Sequence, residues 1–175
     1  RDVIHWQIGR SDFDTPANIK AAAAASLERG DVHYAPSMGI PPLRKAIAER
    51  TQIDTGVEVA WDTQTIVMSG ANEGILCSIM AFVNPGDEVI IPDPNWHHYK
   101  SIVSLAGGVA IEVPTKEESD FALLASDVEK VITPKTKMIC ITSPSNPTGT
   151  TVPESELAKL AALAKKHNLL VMSDE

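Results

Sequence analysis

Asn146 and Asp174 are the residues whose types and settings could do chemistry. Each follows an apolar run. Residues 138–142 lead into the loop Ser143-Pro144-Ser145-Asn146-Pro147-Thr148-Gly149, and residues 169–172 lead into Ser173-Asp174-Glu175. An amide fixed in a proline-flanked loop can hydrogen-bond a ring substituent. A carboxylate can pair with a protonated ring nitrogen and so hold the proton there. Together they suit a flat, polar, heteroaromatic ligand. Ser69-Gly70-Ala71-Asn72 joins an apolar segment to a helical one. Free N–H groups and the partial positive charge of a helix start suit a phosphate there. With a single glycine it is no dinucleotide fingerprint. Trp96, in Asp93-Pro94-Asn95-Trp96, offers an indole that could lie on a planar ligand.

Each feature also has a plain reading: an ordinary strand-to-helix turn, a tryptophan closing the core, an Asn-Pro loop, a solvated strand end. His97 and His98 are adjacent, so on a helix they point apart and make no metal pair. No other spacing suggests a metal. Lys100, one turn beyond Trp96, belongs on a solvated face.

The elements that must position these residues alternate between strand and helix. Thr15 reads as an N-cap with Pro16 in the first turn, and apolar positions 19, 22, 23 and 27 run to a stop at Gly30. A second helix places Leu43, Ala46 and Ile47 on one face and Arg44, Lys45 and Arg50 on the other. Strands are expected at 65–68, 88–91, 109–113, 137–142 and 169–173. Helices are expected at 73–83, 95–106, 127–132 and 153–167, the last burying Leu157, Leu160, Ala161 and Ala164. Glutamates open that helix and Lys165, Lys166 and His167 close it, as the helix dipole favours. The strands are continuous apolar runs, so both sheet faces should be covered. This pattern gives an α/β fold, a three-layer α/β/α arrangement around a mainly parallel sheet. Asn146 and Asp174 then fall at C-terminal strand ends, the edge where open α/β sheets bind ligands.

Composition narrows the classes. The chain has 175 residues, 15 basic against 23 acidic, and a net charge of −8, which argues against nucleic-acid binding by bulk electrostatics. No window is apolar and long enough to span a membrane, and no signal-peptide pattern is present. A cytoplasmic location is expected. Cys77 and Cys140 lie in apolar runs and read as buried free thiols. Both ends of the chain fall mid-pattern, which reads as a sequence cut at both termini.

Taken together, the stretches identify a family. Residues 34–39 (Tyr-Ala-Pro-Ser-Met-Gly), 43–48 (Leu-Arg-Lys-Ala-Ile-Ala), 69–71, 84–87 (Asn-Pro-Gly-Asp), 94–96, 143–149 and 173–175 stand in the order seen in class I/II aminotransferases. These are fold type I enzymes that use pyridoxal 5'-phosphate. The resemblance covers essentially the whole chain, and its specificity lies in the combination.

The resemblance implies a role for each matching position. Gly70, Ala71 and Asn72 would cradle the cofactor phosphate. Trp96 would stack on the pyridine ring, Asn146 would bond the ring oxygen, and Asp174 would pair with the ring nitrogen. Tyr34 would reach the phosphate in a neighbouring subunit, which implies a homodimer. Gly9 would border the substrate carboxylate site. Residues 1–14 would be a segment beside the cleft, and 15–175 an incomplete large domain.

By the same resemblance, the cofactor-binding lysine and a carboxylate-clamping arginine would lie beyond Glu175. The whole enzyme would move an amino group between an amino acid and a 2-oxo acid by a ping-pong route, and residues 1–175 alone would be inactive. Cis peptides are expected at Asn146–Pro147 and Asp93–Pro94. Two stretches depart from the family. Gly9-Arg10-Ser11-Asp12-Phe13 stands for Gly-Glu-Pro-Asp-Phe, and Asn72 stands where some aspartate-using relatives carry lysine. A carbon–sulfur lyase or synthase of the same fold, the effector domain of a transcription regulator and a nucleotide-binding α/β domain are the rival readings. The last lacks glycine-rich phosphate motifs.

Overall fold

The computed structural model describes residues 3–4, 9 and 11–175. They fall into two compact units, Arg1–Val67 and Met68–Glu175.

Among the described residues the first unit holds two helices, α1 (Ala17–Glu28) and α2 (Pro41–Thr55). Pro16, not Thr15, takes the N-cap of α1, and no side chain caps that turn. Pro16 has no N–H to offer, and its ring already sets the backbone for entry into the helix. Thr15 instead donates its own N–H to Asp14 Oδ1 at 2.8 Å. Gly30, at φ +79°, ends the helix as expected.

Helix α2 departs from its expected faces, although Lys45 and Arg50 are exposed as expected. Leu43 and Ile47 are exposed, whereas Arg44 and Ala48, one turn apart, are buried. The reason is local. The Arg44 Nε donates to the Thr65 carbonyl at 2.9 Å, and its guanidinium lies 5.5 Å from the Trp61 ring centroid. An arginine can bury its stem and plane when the charge is met in this way.

Residues 65–68, expected as a strand, are not one. The Thr65 carbonyl is taken by Arg44, and the Val67 N–H donates to the Met38 carbonyl at 3.0 Å. Those groups serve a side chain and a loop rather than a neighbouring strand.

The second unit contains α3 (Ala71–Phe82), β1 (Glu88–Asp93), α4 (His98–Leu105), β2 (Val109–Pro114), a 3-10 turn (Glu117–Ser119), α5 (Ala125–Val131), β3 (Thr136–Thr142), α6 (Glu154–His167) and β4 (Leu170–Asp174). The sheet runs β2-β1-β3-β4 and every pairing is parallel. Each strand is joined to the next in sequence by a helical crossover, which is what parallel neighbours require.

Side-chain alternation along β3 divides the core in two. Met138 and Cys140 join Ile75 and Ile79 of α3 with Tyr99 and Val103 of α4. Ile139 and Ile141 join Val128 of α5 with Leu160 and Leu163 of α6. This is the expected three-layer α/β/α arrangement, with four strands among the described residues where five were expected.

Two helix faces differ in detail. In α6 the buried stripe is Leu160, Leu163 and Ala164, while Leu157 and Ala161 are exposed. In α3 the buried residues are Ile75 and Ile79, so Cys77, about 200° around from Ile75, faces outward. Only Cys140 is the buried thiol that the sequence suggested for both, and burial, with the charge of Asp174 adding, pushes it up to about 12.

Candidate active site

The C-terminal edge of the sheet gathers the polar residues. Thr142 and Asp174 are paired across β3 and β4 at that edge, so their side chains leave the same face. The Ser143 N–H donates to the Asp174 carbonyl at 3.1 Å, extending the ladder by one rung into the motif loop. The loop then closes on itself. The Ser145 N–H donates to the Thr150 carbonyl at 2.7 Å, and the Gly149 N–H donates to the Ser145 carbonyl at 2.8 Å. The Ser143 hydroxyl accepts the Val152 N–H at 3.0 Å, pinning the start of the loop to its end. Asn146 sits exposed within this closed turn. Asn146–Pro147 and Asp93–Pro94 are cis, as expected, and so is Ser143–Pro144, which the sequence did not single out.

Asp174 is half-buried. Its Oδ2 accepts a hydrogen bond from the Tyr99 hydroxyl. Its Oδ1 makes no hydrogen bond among the described residues. Tyr99 is completely buried, and its oxygen also lies 3.0 Å from Thr142 Oγ1. Burial first, and donation to Asp174 second, push the phenol well above its ordinary value, while the Thr142 hydroxyl partly opposes them.

Helix α3 begins opposite this edge. Gly70 sits at its N-cap with φ +81°, a conformation few residues but glycine adopt, and a side chain there would meet nothing within 4 Å. Ala71 and Asn72 open the helix, ahead of its internal hydrogen-bond ladder. Glu73 folds back so that its carboxylate accepts the Ser69 N–H.

A cavity of about 300 Å³ is lined by Ala71, Gly74, Ile75 and Ser78 of α3 and by Met172 and Asp174 of β4. Ala71 and Asp174 thus face one space. Asn72 lines a separate cleft of about 740 Å³ with Ser69, Glu73, His97 and His98, between α3 and α4. Trp96 is half-buried on the core, its ring edge-on to Tyr99 at 5.7 Å between centroids and 4.1 Å from His98. Lys100 pairs with Glu112 on the surface at 2.6 Å. Tyr34 and Gly9 belong to the other unit, and both are exposed. No cluster of His, Cys, Asp and Glu among the described residues could hold a metal.

Sequence reasoning missed Tyr99, Thr142 and the Ser143 hydroxyl. A signal for Tyr99 did exist. It lies three residues past Trp96, in line with Ile102 and Val103, so its hydroxyl must reach past a buried stripe toward the sheet.

In a parallel three-layer α/β domain the C-terminal edge of the sheet is where ligands bind, and here that edge brings a helix N-terminus and a carboxylate to one cavity. The chain belongs to the aminotransferase class I and II family, whose model matches residues 1–175. It is 43% identical to the aspartate aminotransferase of Pyrococcus abyssi over 175 residues, all of this chain and 45% of that protein. It is 46% identical to a probable aspartate/prephenate aminotransferase of Rhizobium leguminosarum over 176 positions, covering 44% of that protein. Among solved structures, the aspartate aminotransferase of Thermus thermophilus with maleate superposes with a TM-score of 0.93 at 42% identity, over 96% of this chain and 44% of that one. The chain therefore spans somewhat less than half the length of these relatives. Enzymes of this family use pyridoxal 5'-phosphate.

Proposed function

We propose that the full-length protein is a pyridoxal-phosphate-dependent aminotransferase that moves an amino group between an amino acid and a 2-oxo acid by a ping-pong route. One observation carries this reading. Asp174, with one carboxylate oxygen unpaired among the described residues, and the N-terminal turn of α3 line the same cavity. That pairing fits the cofactor's chemistry: a carboxylate for a protonated ring nitrogen, and a helix start for a phosphate. Bound there, the cofactor supplies an electron sink for the chemistry at the substrate's α-carbon.

The residues of this chain hold and tune it. Asp174 keeps a proton on the ring nitrogen. Gly70, Ala71 and Asn72 bind the phosphate through backbone N–H groups and an amide side chain. Trp96 stacks on the ring and Asn146 donates to its oxygen. Gly9 borders the site of the substrate carboxylate. Tyr34 reaches the phosphate of a neighbouring subunit, so the working form is a homodimer. Residues 15–175 form part of the large domain; the segment 1–14, expected beside the cleft, lies partly outside the described residues. The lysine that carries the cofactor is supplied by sequence beyond Glu175, and residues 1–175 alone do not transaminate. No helix of the described residues is long and apolar enough to cross a membrane, in keeping with a cytoplasmic enzyme.

The test is an assay of the full-length protein with aspartate, the donor named for the relatives, and a panel of 2-oxo acids. Amino transfer should consume donor and acceptor in equal amounts. Release of ammonia and pyruvate without an acceptor would move the protein to the lyases. A purified protein that takes up no pyridoxal phosphate would overturn the reading altogether. Sedimentation should give a dimer, and Tyr34→Phe should loosen the cofactor. A fully active monomer would exclude the shared site.

A further inference from the structure

The Tyr99 hydroxyl is a polar group carried into the core by an apolar helix face. α4 buries Tyr99, Ile102 and Val103 against the sheet, and the ring of Tyr99 is completely enclosed. Its hydroxyl reaches a place on that face where two adjacent strands, β3 and β4, end in polar residues. Met138 and Cys140 precede Thr142 on this face of β3, and Met172 precedes Asp174 on the same face of β4. Thr142 and Asp174 are lateral neighbours in the ladder, and the phenol oxygen touches both.

We propose that Tyr99 is a positioning residue for Asp174, the last donor in a two-hydroxyl chain from Thr142 that fixes one carboxylate oxygen and leaves the other for the ligand. This inference rests on the reading of Asp174 as the ring-nitrogen partner.

Proton counting sets the direction of the chain. A phenol has one proton. Asp174 has only acceptors when ionised, so Tyr99 gives its proton to Oδ2. The Tyr99 oxygen then has only a lone pair to show Thr142, and the Thr142 hydroxyl must donate to it across 3.0 Å. The direction agrees with the opposing effects on the phenol, raised by Asp174 and lowered by Thr142. Burial keeps the phenol protonated through the neutral range, so Asp174 faces a neutral donor at any working pH.

Two consequences follow. The carboxylate cannot rotate freely about its last bond, because Oδ2 is held from the core side. Oδ1 is unpaired among the described residues, and Asp174 lines the cavity shared with Ala71 and Gly74. A charge-assisted hydrogen bond of this kind is among the stronger ones in proteins.

The experiment uses the full-length holoenzyme and three variants: Tyr99→Phe, Asp174→Asn and the double substitution. Tyr99→Phe should lower kcat about tenfold with KM little changed. It should also shift the pH at which the bound cofactor's visible absorption band changes. In the Asp174→Asn background the same substitution should have almost no further effect on either readout, because its influence passes through that carboxylate. In the apoprotein, Asp174→Asn should let a phenol ionise at lower pH, read by tyrosinate absorbance and absent when Tyr99 is also phenylalanine. Thr142→Val should move the visible band in the same direction by less, and it carries the test if Tyr99→Phe folds poorly.

The outcomes separate cleanly. A wild-type protein without cofactor overturns the functional reading and this inference with it. A loaded wild type in which Asp174→Asn is silent removes Asp174 from the ring nitrogen. A large effect of Asp174→Asn with Tyr99→Phe indistinguishable from wild type, or with effects that multiply independently, overturns the inference alone.

Discussion

Replacing Gly108 with alanine should destabilise the protein without touching its chemistry. Helix α4 ends in a pair of reverse hydrogen bonds: the Gly107 N–H donates to the Ser104 carbonyl at 3.0 Å, and the Gly108 N–H to the Val103 carbonyl at 2.9 Å. The chain then enters β2 beside the C-terminal end of α3. A methyl on Gly108 would stand 2.7 Å from Val83 Cγ1, 3.1 Å from the Asp87 carbonyl oxygen and 3.1 Å from Val103 Cγ1. Val83 is 5% exposed and Val103 not at all, so neither can swing into solvent. The Asp87 carbonyl is also committed, accepting the Val109 N–H at 2.8 Å where β1 and β2 begin to pair.

Overpacking of this kind costs about 1–3 kcal/mol. The less flexible unfolded chain returns roughly 0.4–1 kcal/mol. The net loss should be on the order of 1–2 kcal/mol, read by urea denaturation of the full-length protein followed by circular dichroism. In a Val83→Ala background the methyl has room, and its cost should at least halve. Gly108 sits at the N-terminal end of the strands, opposite Asp174, so activity per folded molecule should not change. A Gly108→Ala protein as stable as wild type, or a cost unaltered by Val83→Ala, would refute the steric argument.

Other outcomes follow from the same geometry. Asp174→Ala should lower turnover at least tenfold, which needs the loss of about 1.4 kcal/mol, while cofactor content changes far less. Turnover within about twofold of wild type, a shift worth well under that energy, would remove Asp174 from the ring nitrogen. Asn168 ends α6 in the left-handed region at φ +53°, so Asn168→Ala should cost about 1 kcal/mol in a denaturant melt, and a neutral result would count against that geometry. Glu156 accepts the Ala125 N–H at the start of α5 at 3.0 Å and pairs with Lys159 at 2.5 Å. Lys159 first, and that N–H second, hold its carboxyl below the ordinary value. A carboxyl depressed in the folded state adds stability above the ordinary glutamate value and loses it as pH falls through the depressed one. The stability gap between wild type and Glu156→Ala should therefore close below about pH 4, and a gap independent of pH would refute the pairing.

The sheet was legible in the sequence because its signal is redundant. Residues 88–91, 109–113, 137–142 and 169–173 are apolar runs, each bounded by turn residues and helices, and all four became strands. Residues 65–68 carried the same pattern and did not. Apolar, β-branched composition permits a strand, but a partner must supply the hydrogen bonds, and here Arg44 and Met38 use the backbone groups. Arg44 defeated the face assignment of α2 for a related reason. Charge predicts exposure only until a carbonyl and an indole are found to receive it. At the site, Asp174 and Asn146 were visible because each follows a strand. Tyr99 was not, because a tyrosine among apolar residues looks like core until the strand beside it is known to end in Thr142 and its neighbour in Asp174.

The backbone rung between Ser143 and Asp174 separates two duties at one position. The Asp174 carbonyl anchors the motif loop through the Ser143 N–H, and this contact is indifferent to the side chain. The carboxylate, on the same residue, faces Tyr99 and the cavity. Any residue that keeps β4 extended would preserve the loop's position, and with it that of Asn146. Position 174 is therefore an exchangeable socket. On the proposed function, its occupant could be altered to retune the electronics of a bound ring while the motif loop stays in register. A scaffold built this way can acquire new chemistry at that residue in a single substitution, with no rearrangement of the loop.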